Sequence, residues 1–143
     1  MAKITLNSVT PKLDTIARCI ERIESKKPFD LRQLQKDFDL QDIVSTNISR
    51  LIQASVDVAT MVIAQSGQAL PATMAECFTA IEQLGAITPA TALEMRKSVG
   101  LRNIMVHEYE RLDWHIVFSV CSDHLETFKR FGREILQYLQ SAS

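Results

Sequence analysis

A chain of 143 residues, 46% of them hydrophobic, is long enough to bury a core of its own and too apolar to remain disordered. Its formal net charge of −1 excludes a globally basic nucleic-acid binder, so any contact with a phosphate backbone has to come from a local patch. No apolar run reaches the length of a membrane span, and Met1 to Ser8 lack the apolar stretch and cleavage site of a signal peptide; one domain over residues 1–143, in the cytoplasm, is expected.

The predicted elements follow in chain order. Val9, Leu13, Ile16, Ile20 and Ile23 recur at alternating four- and three-residue steps, one apolar stripe of a first helix. Thr10 is placed to cap it, with Pro11 at its first position and Lys26, Lys27 and Pro28 at its end. A second helical region runs from about Leu31 to Ser66, with a break near Asp39. Its apolar set is Leu31, Leu34, Phe38, Ile43, Val44, Ile48, Leu51, Ile52, Val56, Ala59, Val62 and Ile63, and Gly67 stops it. Thr73 to Glu76 form a capping box that opens a short third helix, closed by Gly85. Thr88 and Pro89 open a fourth. Asp113 opens a fifth, which turns Trp114, Val117, Phe118, Cys121, Leu125, Phe128, Phe131, Ile135 and Leu139 inward. With four glycines and no alternating apolar-polar run, strands find no support. The fold expected is all-α, an up-and-down bundle of about five helices with the fourth near its centre.

Cys19, Cys77 and Cys121 are an odd set at wide spacing, which fits neither a disulfide framework nor a metal pair. Each falls among apolar neighbours on a predicted helix and reads as a buried free thiol. His107, His115 and His124 are separated by eight and nine residues, not the four of a helical metal site. No metal and no cofactor are expected.

The fourth helix ends in the most informative stretch of the chain. Gly100 and Leu101 precede Arg102 and Asn103; His107 follows Arg102 by five residues, and Tyr109 comes two further on. On a helical wheel these four polar groups fall within roughly 160° of arc, provided that the helix persists to Tyr109. An arginine fork holds phosphate oxygens and an imidazole moves protons near neutral pH. Taken singly, Arg102 would be a surface group and His107 a core histidine. The longer string reverses that reading. It resembles the Arg-x4-His-x-Tyr signature of the HepT family in the HEPN (higher eukaryotes and prokaryotes nucleotide-binding) superfamily, and the chain is similar to that family in length and helix order.

The resemblance implies the toxin of a type VII HEPN/MNT toxin–antitoxin system, a metal-independent endoribonuclease. A 2′-hydroxyl would attack its own phosphate, which requires a base, an acid and a cation for the developing charge. Arg102 and His107 would be the catalytic pair, and Asn103 would hold the phosphate or orient His107. One histidine per chain leaves acid and base one short; a homodimer with a composite site supplies the second. The resemblance implies such a dimer too. It also implies that a cognate MNT-type nucleotidyltransferase adds AMP to Tyr109, placing charge and bulk where RNA phosphate has to sit. Asp57, in the apolar stretch Ala54 to Ala59, needs a partner, either a salt bridge or a motif residue that it orients. Two alternatives remain: a non-catalytic nucleotide- or RNA-binding HEPN module, and a recruiting subunit of a nucleotidyltransferase pair.

Overall fold

The computed structural model describes residues 5–142. Among them are seven α-helices and no strand: α1 (Thr5–Glu24), α2 (Leu31–Lys36), α3 (Phe38–Ser66), α4 (Met74–Gln83), α5 (Pro89–His107), α6 (Trp114–Ser119) and α7 (Leu125–Ala142). A 3-10 turn, Tyr109–Arg111, follows α5, and a π turn, Val120–His124, joins α6 to α7 as one continuous rod. None of these helices is long and apolar enough to cross a membrane. The reading of Met1 to Ser8 as free of a leader falls in part on residues 1–4, outside the described residues.

The all-α bundle is built around α3, which spans about 43 Å at 1.5 Å per residue and packs against α1, α4 and α5, while α7 closes the bundle against α1 and α5. Mid-length, α3 is buried on nearly every side, from Val44 to Ile63. A polar side chain there must find its partner locally, and fully buried Ser55 does so by donating to the Leu51 carbonyl at 2.7 Å. Phe78 of α4 and Phe131 of α7 are both fully buried and meet edge to face, 5.8 Å between centroids.

The cap signals at Thr73, Thr88 and Asp113 and the stop at Gly67 all hold. Gly67 takes φ +84°, a conformation that favours glycine. The start of the first helix and the inward placement of Phe38 fail for identifiable reasons. The first helix starts upstream of Pro11, at Thr5, and Thr10 bonds back to the Leu6 carbonyl at 2.7 Å instead of capping. Proline is tolerated inside because Pro11 and Asn7 are exposed, and water serves the carbonyl that loses its bond. The break in the second region falls at Asp37 (φ −93°, ψ 104°), whose carboxylate accepts from Leu40 N at 3.1 Å and so caps α3. That break resets the helical phase, and Phe38, expected with the apolar set, is left 75% exposed.

Along the last rod, Val117, Cys121 and Leu125 are buried at two successive four-residue steps. On a regular α-helix these steps drift about 80° off one line; the wider π turn absorbs the drift and keeps all three inward. All three cysteines are free and buried. Burial pushes the Cys121 thiol up to about 11.

Candidate active site

Helix α5 is positioned at both ends. At its start, Thr88 N–H and the Thr91 hydroxyl each donate to the Glu134 carboxylate of α7 at 2.9 Å, and Arg130 Nε donates to Thr91 Oγ1 at 2.8 Å. Near its end, buried Met105 accepts the Ser49 hydroxyl of α3 on its sulfur at 3.7 Å. Ala92, Met95 and Val99 complete the inward face.

Arg102 follows fully buried Met95 by seven residues, so the two lie within about 20° of one line. Its side chain therefore leaves the helix where a core residue would stand. The result is a half-buried guanidinium whose Nε is enclosed without a hydrogen-bond partner, while Nη1 donates to Asn103 Oδ1 at 3.2 Å. Asn103 thus braces the arginine, and no contact to His107 is recorded for it among the described residues. A guanidinium is more weakly hydrated than an ammonium, and its planar fork matches two phosphate oxygens.

His107 is the last residue of α5 and is exposed. The helix stops there because Glu108 leaves helical geometry (φ −143°, ψ 51°), its N–H closing on the Ile104 carbonyl at 2.9 Å. The condition that α5 persist to Tyr109 is therefore not met. Tyr109 opens the 3-10 turn instead, with its ring set edge to face on Trp114 at 5.9 Å and 38% of its surface exposed. Its ring is thus carried on a short turn just beyond His107. Glu108 is drawn into a pair with Arg111 at 2.9 Å, which offsets one of the two negative charges beside the histidine.

Asp57 turns away from this end. It pairs with Lys12 of α1 at 2.9 Å and accepts from Gln53 at 3.0 Å, so its partner is a salt bridge and not a motif residue. His115 sits against Asp113 at 3.4 Å and His124 within 4.0 Å of Glu94, both exposed. The Ser49–Met105 tether and the enclosed Arg102 Nε were not foreseen from the sequence. The heptad step from Met95 to Arg102 was the signal for the second.

A family model described as ribonuclease HepT-like matches residues 16–135. The mRNA nuclease HepT of Shewanella oneidensis is 39% identical over 120 residues, which cover 84% of this chain and 90% of that protein. The tRNA nuclease HepT of Aphanizomenon flos-aquae is 26% identical over 131 residues, covering 92% and 89%. Among solved structures, the tri-AMPylated HEPN toxin of Shewanella oneidensis in complex with MNT antitoxin superposes with a TM-score of 0.84 at 37% identity, over 90% of this chain and 96% of that one. An 84% share of the chain at 39% identity, with a family match from the first helix to the last, leaves one assignment: the chain belongs to the HepT-like ribonuclease family.

Proposed function

We propose that the chain is the nuclease toxin of a HEPN/MNT toxin–antitoxin pair, that it cleaves RNA without a metal through Arg102 and His107, and that AMP addition to Tyr109 silences it. The observation that carries this reading is the half-buried Arg102 guanidinium, its Nε enclosed, five residues before the exposed histidine that ends the same helix. Arg102 supplies the cation for charge developing on the phosphorane, and His107 the proton transfer. The nucleophile is the 2′-hydroxyl of the RNA itself, so no activated water is required. Asn103 positions Arg102 through the 3.2 Å bond.

The acid and base come from two copies of the chain. Leu93 and Ile104 are eleven residues apart on α5, within about 20° of one line, and both are exposed. Ile116 of α6 is 51% exposed and borders, with Leu101, a recess of about 260 Å³. These exposed apolar groups, with Lys97 and Gly100 between them on α5, support a homodimer contact there, which would set two histidines near one cleft.

An AMP on Tyr109 adds a phosphate next to Arg102 and His107. That charge engages the arginine and competes with RNA for it. The presence of AMP on the Shewanella toxin supports the same modification here. Co-expression tests this directly. The chain alone should arrest growth, and an active cognate nucleotidyltransferase should restore growth while raising the mass of the chain by one or more adenylates. Tyr109→Phe should keep its unmodified mass and stay toxic beside that partner. Rescue of Tyr109→Phe by the active enzyme, with no mass change on either chain, would remove Tyr109 from the account.

A further inference from the structure

The near-neutral chain needs a local basic patch to hold RNA, and the motif alone offers a single arginine. A second cationic surface lies between α1 and α3. Thr15, Arg18 and Arg22 of α1 face Asp42, Thr46, Asn47 and Arg50 of α3 across a groove of about 520 Å³ floored by buried Cys19. Three arginines against one aspartate give the groove a formal charge of +2, in a chain whose total is −1. No side chain of the three has an ion pair or hydrogen bond to a described residue, whereas seven other lysines and arginines sit within 3.3 Å of a carboxylate or another acceptor.

We infer that this groove is an RNA exosite that binds the phosphate backbone beyond the cleaved position. The inference rests on the ribonuclease reading given above, and three observations favour it. Arg18 and Arg22 are four residues apart on one helix face, about 6 Å along the axis, a ladder suited to successive phosphates. Arg50 reaches the same spot from the other wall: both it and Arg18 lie close enough to the Cys19 thiol to oppose the upward pull of burial on it. The groove is also tied to the motif. Ser49, the residue before Arg50, is the one bonded to Met105, three residues from Arg102 and two from His107. Helix α3 therefore carries Arg50 into the groove one residue from its tether to the motif helix. Arginine forks and hydroxyl or amide side chains, with no aromatic ring in the lining, fit backbone binding and not the reading of bases.

The test measures binding apart from cleavage. A labelled single-stranded RNA is titrated in EDTA with the His107→Ala chain, with and without Arg18→Ala, Arg22→Ala and Arg50→Ala combined. The triple substitution should weaken binding about tenfold or more and lower the slope of log affinity against log salt by about 2, since each phosphate contact on a single strand contributes about 0.7. Replacing the same three arginines by lysine should restore most of the affinity, which a fold defect would not allow. In the wild-type background the alanine triple should raise KM for long RNA, with kcat and the cleavage of a dinucleotide unchanged. Unchanged affinity and salt slope overturn the exosite. If RNA binding is untouched but capture of the nucleotidyltransferase partner is lost, the groove belongs to that protein and the inference fails. Should the wild-type chain cut no RNA at all, the ribonuclease reading fails instead, and the binding titration still decides the groove.

Discussion

Replacing Arg102 by methionine should make the protein more stable and inactive at once. The Arg102 Nε–H is enclosed without an acceptor, and a buried polar group left unpaired costs about 1–3 kcal/mol. Methionine keeps an unbranched stem that fills the same space beside α5 and removes the orphaned donor. The substitution also removes the Arg102–Asn103 bond, exposed at 3.2 Å and worth at most about 1 kcal/mol. The net gain is roughly 0.5–2 kcal/mol, or about 2–6 °C in Tm for a chain of this size. Thermal unfolding of both proteins at two concentrations, followed by circular dichroism, measures it. RNA cleavage by the variant should fall by at least about 100-fold, the loss expected when a charge-assisted contact to the transition state worth about 3 kcal/mol disappears. A Tm equal to or below that of the wild type at both concentrations would refute the argument that Arg102 is held at a cost for function.

Further outcomes follow from the same geometry. Ile104→Asp should dissociate the proposed homodimer on sedimentation and reduce cleavage together with it; an active monomer would break the link between dimer and site. Phe78→Ala empties a fully buried position against Phe131 and should cost about 3–5 kcal/mol, read by urea denaturation, which is a large share of the 5–15 kcal/mol of an ordinary domain. Cys121, its thiol pushed up to about 11, should resist alkylation in the native protein at pH 8, where only about 0.1% is thiolate. A thiol raised on folding holds its proton more tightly in the folded chain, so its contribution is complete below about pH 9 and is lost as pH rises through about 11. The wild type should therefore lose more stability than Cys121→Val over that interval, and equal losses would count against the burial effect.

Much of this fold is legible because its signals are local. Thr73, Thr88 and Asp113 announce helix starts through side-chain caps, and the stripe from Val9 to Ile23 fixes the inward face of α1. The misses occur where local signals compete or context decides. Thr10-Pro11 looks like a helix start but lies within one, since exposure of Pro11 and Asn7 lets water take up the missing bond. The break expected near Asp39 falls at Asp37, whose carboxylate accepts from Leu40 N–H, and Gln41 spans it by donating to the Leu34 and Gln35 carbonyls at 2.9 and 3.1 Å. At the candidate site, residue types and spacing single out Arg102, Asn103, His107 and Tyr109. The sequence does not reveal that α5 ends at His107, because a single distorted residue, Glu108, takes Tyr109 off the helix. Nor does it pair Asp57 with Lys12, 45 residues away on another helix.

The central claim is that Arg102 and His107 cleave RNA without a metal. It is tested most directly by incubating RNA in EDTA with the wild-type chain, Arg102→Ala and His107→Ala, and analysing the ends of the products. Cleavage by the wild type alone, leaving 2′,3′-cyclic phosphate ends, is the predicted result. Cleavage that stops in EDTA, or that survives both substitutions, would contradict the account.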